Sequence, residues 1–573
     1  MLCQDKRVPL IVALLAVSGI FLTGHFFERF YPWIMTVFFV SMSVLLLLAI
    51  RGAPFASVLS GALLVGITYR LYFNLHVPTP VGMSSQLYPE RIDTLMARGE
   101  LLGGYYSSAA GAPFQDLLFA SSTIITGLGG YYSLFIYPLL IGTLYPLFGI
   151  AILKEIGVHD HRFLSVAAVL TLVTTEGLRR SYWSRNQVIA TFFWLAAIYV
   201  LAKHLRDPDT RLFLLLAAFA GAMAYSHRLP LAIFAVVLLV LGILYLTDRI
   251  SWNEVAGISP VKQVFSLFVF IGTVVLVQLL YLGNTFYHLV ARIQRLLAQF
   301  GSDGVQSVPS QPAPSAANEV LPGIIGTLYQ YPSSLSLFVE RGHGIWIALV
   351  AGVAWTYLFF EFEERRTRGQ ILALLAVSAV GVALMFIGVV SIGSMNPTRP
   401  LQLIEPVLAV IIVIAIWKMQ ILDQKRMYQF GIGLVLVLLI ASQVFAMAAG
   451  PDYANSPRYY ADVPESAAKT TICEYSTEPI YTDHEMLMFR GLDQRTCEMD
   501  RIGTGPDSPL FNKNITPSEH PTFVYRHNVD IYHGSGGARY ELAWNPAIEL
   551  ETNYHSVYNN NRVTMFEEDK TDS

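Results

Sequence analysis

A chain of 573 residues that is 54% hydrophobic, 14% charged and −3 in net charge cannot bury its apolar surface in a water-soluble fold without leaving patches far larger than monomers tolerate. Its main solvent is therefore lipid. Charge is split along the chain, with 20 acids against 10 bases from Pro451 onward and 21 against 28 before it, so a basic membrane body carries an acidic soluble tail; the arginines are spread over separated loops, which excludes the basic helix or ribbon of a nucleic-acid binder.

About 20 apolar residues cross about 30 Å of hydrocarbon as a helix, and thirteen runs approach that length. They lie near Val8 to Phe27, Tyr31 to Ile50, Pro54 to Phe73, Tyr132 to Leu153, Phe163 to Leu178, Val188 to Leu205, Leu212 to Ser226, Leu229 to Thr247, Val264 to Leu282, Ile345 to Phe360, Ile371 to Ile392, Leu401 to Trp417 and Phe430 to Met447. The first is read as a retained span, because His25-Phe26-Phe27-Glu28-Arg29 offers no small-residue cleavage site. The predicted fold class is an all-α polytopic membrane protein of about 13 transmembrane helices over residues 1–449, followed by a small α/β domain over 450–573. Short β-rich runs, Pro479 to Thr482, Thr522 to Tyr525 and Arg562 to Phe566, carry the tail expectation.

Two connectors are long. In the first, residues 74–131, Leu87, Ile92, Leu95 and Met96 recur at helical spacing with Glu90, Asp93, Arg98 and Glu100 interleaved, which predicts a helix lying in the interface plane. Pro113 to Ile125 is apolar but short for a span and reads as re-entrant or interfacial, ending at Thr126-Gly127. The second, residues 283–344, holds an amphipathic piece (Phe286, Leu289, Ile293, Leu296, Leu297) and a linker-like stretch from Gly301 to Ala317.

Sidedness follows from the cations. Lys154, Lys203, Lys262, Lys418 and Lys425 all fall in connectors on one side of the apolar runs, while the opposite connectors use arginine: Arg29, Arg91, Arg98, Arg179, Arg180, Arg185, Arg228, Arg292, Arg295, Arg341 and Arg399. The lysine side is read as cytoplasmic, which puts the N-terminus inside and the C-terminal domain outside. Cys473 and Cys497 then share an oxidising compartment, and a disulfide between them closes a loop of about 25 residues.

Dense polarity marks three short outward turns: Glu176 to Gln187, Ser226-His227-Arg228, and Asn396-Pro397-Thr398-Arg399-Pro400. A single arginine there is explained by snorkelling beside aromatics such as Tyr182 and Trp183. The set is not, since snorkelling accepts lysine, and a planar guanidinium fork is favoured where a phosphate is held at a low-dielectric boundary.

This order of features resembles the GT-C membrane glycosyltransferases: an acidic interfacial helix in the first long loop, a second ending in Thr-Gly, a polar outward turn, and an Arg-Pro start to a late span. Within that group the chain is most similar to the archaeal and bacterial branch related to aminoarabinose and protein mannosyl transferases, over about Phe73 to Met447. The resemblance implies an inverting transfer of sugar on the outer face from a polyprenyl-phosphate-linked donor to a glycan, lipid or protein acceptor. It also implies a general-base carboxylate and phosphate-holding arginines.

Carried over by position, the aspartate expected before the first interfacial helix is replaced by serine in Val81-Gly82-Met83-Ser84-Ser85-Gln86-Leu87-Tyr88. The candidate carboxylates become Glu90, Asp93 and, upstream of Asn186-Gln187, Glu176. Arg399, Arg179, Arg180, Arg185 and Arg228 are the candidate donor-phosphate ligands, with His227, Tyr88, Asn186 and Asn396 as candidate substrate contacts. Glu405 lies below Arg399 inside the bilayer, and Arg399 is its expected partner. No metal-ligand spacing, Walker loop or nucleophile elbow is written in the chain; a divalent metal assembled from distant loops would leave no local signature. The alternatives from other classes are a non-catalytic member of the same architecture that binds a lipid-linked sugar, and a secondary transporter, which normally shows broken helices and midplane charges.

Overall fold

The computed structural model describes residues 5–26, 32–75, 88–99, 113–182, 186–246, 260–281, 324–327, 334–361, 365–390, 398–424, 426–446, 463–475, 480–482, 499–501, 513, 515–517, 521–527, 531–533 and 539–568. The membrane body runs α1 (Arg7–Phe26), α2 (Pro32–Ile50), α3 (Phe55–Leu75), α4 (Tyr88–Arg98), α5 (Phe114–Thr126), α6 (Gly130–Ser133), α7 (Ile136–Glu155), α8 (His161–Leu172), α9 (Thr175–Tyr182), α10 (Asn186–Arg206), α11 (Thr210–Ser226), α12 (Arg228–Leu246) and α13 (Pro260–Tyr281). After β1 (Ile324–Thr327) come α14 (Ser334–Glu361), α15 (Arg365–Val390), α16 (Thr398–Lys418) and α17 (Arg426–Phe445).

Among the described residues nine helices are long and apolar enough to cross a membrane, and four shorter apolar helices accompany them. Every one of the thirteen expected runs falls on one of these. The chain is a multi-pass membrane protein. Helix α16 is its axis: 94% of its apolar window is buried, and α8, α10, α14 and α15 pack around it. The fit to α15 leaves no room for a side chain at Gly381, where a Cβ would lie 2.1 Å from Ile404 Cγ2.

Two expectations about helix limits are corrected. The run from Phe163 to Leu178 is not one span, since α8 stops at Leu172 and the chain restarts as α9 at Thr175. The run at Ile345 begins much earlier, because α14 starts at Ser334 within the segment read as a connector. The two helices expected in the first connector are present as α4 and α5, which pack on each other. The amphipathic piece from Phe286 and the stretch from Gly301 to Ala317 lie outside the described residues.

Beyond the membrane body come α18 (Val463–Tyr475), β2 (Ile480–Thr482), β3 (Met499–Arg501), β4 (Thr522–Arg526), β5 (Ile531–His533), β6 (Arg539–Leu542), α19 (Pro546–Asn553), β7 (Tyr554–Asn559) and β8 (Val563–Glu568). They form the expected small α/β unit. A five-stranded sheet has the order β3-β2-β4-β8-β7, with β2 parallel to both its neighbours and the remaining pairs antiparallel. Ile472 of α18 packs with Ile480, Val524, Val563 and Met565 on one cluster, and Phe523, Leu550, Tyr554 and Phe566 form another. Buried Arg526 pairs with buried Glu465 at 3.5 Å. A second sheet, β1-β6-β5, takes its edge strand from the connector between α13 and α14.

Candidate functional site

The interruption between α8 and α9 organises the site. At the usual helical rise of 1.5 Å per residue, the 12 residues of α8 reach only about 18 Å, too short to cross a 30 Å hydrocarbon layer by themselves. Non-helical backbone among apolar helices persists only where protein satisfies its polar groups. Here both broken ends are served from distant helices. Arg70, buried inside α3, donates through Nη2 to the Leu172 carbonyl at 2.5 Å and through Nη1 to the Gly66 carbonyl at 3.0 Å. On the other side, Gln443 of α17 accepts from the Thr175 N–H at 3.1 Å, and Glu405 of α16 accepts from the Glu176 N–H at 2.8 Å. The cation therefore meets the carbonyl end of α8 and the carboxylate meets the amide end of α9, which is the favourable sign at each helix dipole.

The anchored turn carries charge. Glu176 is fully buried, and its Oε1 lies 3.3 Å from Arg179 Nη1, while Arg179 is partly exposed. His343 of α14 approaches Glu405 Oε1 with Nε2 at 3.9 Å, and its carbonyl accepts from Gln443 Nε2 at 3.0 Å. Gln187, at the start of α10, donates to the Arg399 carbonyl at 2.8 Å, and Trp194 donates to the Leu403 carbonyl at 3.0 Å. Pro406 lies within α16 directly after Glu405 and removes one rung of its ladder. Helices α9, α10, α14, α16 and α17 thus meet at one end of the bundle. Gly177 permits the meeting with α7: a Cβ there would lie 2.5 Å from Thr174 Oγ1 and 2.9 Å from Tyr145 Cε2.

A second buried polar group joins the interfacial helices. Asp116 of α5 forms an ion pair with Arg91 of α4, and the Arg91 guanidinium also sits over the Tyr88 ring at 5.1 Å. Burial raises the Asp116 carboxyl above its ordinary range, with the Arg91 charge opposing. Gln115 beside it is fully buried, and neither of its amide atoms finds a hydrogen-bond partner among the described residues. Tyr88 and Tyr137 both pack edge-on against Phe119. Tyr137 and Tyr145 are eight residues apart on α7, so this group stands about 12 Å along the helix from the α9 contact.

The candidate residues divide accordingly. Glu176 and Arg179 are paired on α9, and Arg399, at the start of α16, is joined through its backbone carbonyl to Gln187 of α10. Tyr88 belongs to the α4–α5 group. Asp93 is half-buried and faces Gly130, where a Cβ would lie 3.0 Å from its Oδ1, so it packs at the start of α6. His227 ends α11, and its Nδ1 accepts from the Leu229 N–H at 3.2 Å, which fits a turn-stabilising role. Arg185, Asn396 and Cys497 lie outside the described residues, as do the side chains of Glu90, Arg180, Asn186 and Arg228. Cys473 is disulfide-bonded. Among the described residues no three His, Cys, Asp or Glu side chains are grouped to hold a metal.

Sequence reasoning passed over Arg70, Asp116, His343 and Gln443. The available signals were an arginine inside an apolar run, which is costly unless paired, and a lone acid in a short re-entrant stretch. Between α7 and α10 lies an apolar cavity of about 200 Å³ lined by Leu140, Leu144, Phe148, Val188, Phe192 and Tyr199 among others.

No family model matches the sequence, and no curated protein matches it significantly. Solved structures do. The chain superimposes on the apo oligosaccharyltransferase of Archaeoglobus fulgidus with a TM-score of 0.53 at 12% identity, over 83% of this chain and 70% of that one. A structure of the oligosaccharyltransferase AglB from the same organism, in complex with an inhibitory peptide and a dolichol-phosphate, gives 0.51 at 13% identity, over 91% and 74%. ArnT from Cupriavidus metallidurans bound to undecaprenyl phosphate gives 0.47 at 12% identity, over 89% and 99%. The chain shares its fold with the archaeal oligosaccharyltransferase structures, as its order of elements led us to expect.

Proposed function

We propose that the protein is a membrane glycosyltransferase that moves a sugar from a polyprenyl-phosphate-linked donor to a glycan, lipid or protein acceptor on the extracytoplasmic face. The observation that supports it most is the charged turn of α9, held at a helix break inside the bundle beside the arginine-proline start of α16, in a fold shared with archaeal oligosaccharyltransferase.

In this reading Arg179 and Arg399 meet the donor phosphate at headgroup depth, joined by Arg180, Arg185 and Arg228. Glu176 is too enclosed to take a proton from an acceptor and instead holds Arg179. The general base is drawn from the α4 carboxylates, Glu90 and Asp93. The acceptor oxygen attacks the anomeric carbon, the bond from that carbon to the phosphate oxygen breaks, and the carboxylate takes the acceptor proton. Polyprenyl phosphate leaves as an anion already stabilised by guanidinium groups. The inward N-terminus, the outward C-terminal domain and a Cys473–Cys497 disulfide belong to the same proposal.

The test is mass spectrometry of lipid extracted from the purified protein, followed by incubation of the reconstituted protein with a radiolabelled polyprenyl-phosphate sugar. Co-purified polyprenyl phosphate and release of label from the carrier are expected. A solute flux coupled to sodium or protons, with no carrier lipid bound, would overturn the reading.

A further inference from the structure

The small sheet β1-β6-β5 joins two parts of the chain separated by more than 200 residues. Strand β1 pairs antiparallel with β6 through Ile324↔Leu542, Gly326↔Glu541 and Thr327↔Tyr540, with an irregularity between Ile324 and Gly326. It is an edge strand on β6, which in turn pairs with β5. Only six residues separate Thr327 from Ser334, where α14 begins, so the strand holds that helix start within about 25 Å even if the link is fully extended. Three turns into α14 stands His343, bonded to Gln443 through its carbonyl and facing Glu405.

These contacts close a circuit. From Gln443 the chain leaves the bundle along α17, enters the C-terminal domain, reaches β6, crosses by backbone hydrogen bonds to β1, and returns down α14 to His343 and Gln443. We infer that the C-terminal domain is a brace: by adding β1 to its sheet it fixes the start of α14 and thereby the His343–Gln443–Glu405 contacts that anchor α9. Main-chain pairing supplies the grip, as in recognition by strand addition. The inference concerns mechanical coupling and stands independently of the transfer chemistry proposed above.

Hydrogen exchange followed by mass spectrometry on the full-length protein tests it. In Gly326→Pro/Thr327→Pro, adjacent residues whose N–H groups point to opposite sides both lose their donor, so whichever faces β6 is removed. Amides over 336–344 should then exchange at least tenfold faster, while those over 407–414 of α16 stay as slow as in the wild type. The complementary variant, Thr327→Cys/Tyr540→Cys, places cysteines at directly opposed positions. It should form a cross-link identifiable in non-reduced peptides and, when oxidised, exchange over 336–344 no faster than the wild type. Unchanged exchange over 336–344 in the proline variant sinks the brace. If that variant does not fold, the cysteine pair decides: a missing cross-link, or an oxidised form that exchanges over 336–344 faster than the wild type, also sinks it.

Discussion

The Glu405 carboxylate accepts the backbone N–H of Glu176 at 2.8 Å across 229 residues of sequence, so one buried acid sets where another begins its helix. Replacing Glu405 with alanine leaves that N–H buried without its acceptor, a loss of about 2 kcal/mol. Glu405→Gln keeps an acceptor oxygen and should recover most of it. Thermal unfolding in detergent orders the three proteins, and equal midpoints for the alanine and glutamine variants would contradict the capping role.

Arg70 serves two carbonyls at once, Gly66 and Leu172. A lysine has the charge but not the planar fork, so Arg70→Lys should lose one bond of the pair and destabilise by about 1–3 kcal/mol. Unfolding midpoints report the loss, and faster hydrogen exchange at 173–176 would localise it to the helix break. No change at 173–176 would detach Arg70 from that break.

Gly177 is the contact point of α9 with α7. Because a Cβ there would intrude on Thr174 and Tyr145, Gly177→Ala should destabilise by about 1–3 kcal/mol, against the usual gain for glycine to alanine within a helix. A stabilised variant would show that α9 is free to shift.

Asp116 gives a pH signature. Burial raises its carboxyl above the ordinary value of 3.8, so the folded state holds the proton more tightly than the unfolded chain. Its contribution to stability is therefore complete below pH 3.8 and is lost as pH climbs through the raised value. Unfolding measured from pH 3.5 to 7 should show the wild type losing stability relative to Asp116→Asn over that rise. Parallel curves would mean that the Arg91 charge fully compensates burial.

Arg399→Ala should reduce transfer at least tenfold in reconstituted protein, while the Gln187 contact, which is made by the Arg399 backbone carbonyl, is kept. Full activity would remove Arg399 from the donor site. Glu90→Gln and Asp93→Asn, alone and combined, separate the α4 carboxylates. Full rate in the double variant would remove both α4 carboxylates from the role of base.

Composition and hydropathy alone determined that this chain lives in lipid, where its apolar runs fall and which connectors gather lysine or arginine, since those properties are sums over neighbouring residues. The existence of α4 and α5 was readable for the same reason. Tertiary structure alone decided that the apolar run from Phe163 breaks at Val173: its composition suits a continuous helix, and the break persists because Arg70, Glu405 and Gln443 arrive from far along the chain to satisfy it. The same holds for β1, four residues with little pattern of their own that become a strand only because β6 offers an edge. Local sequence encodes solvent preference; the partners of a buried polar group are fixed by the packing of helices whose order in space no local window contains.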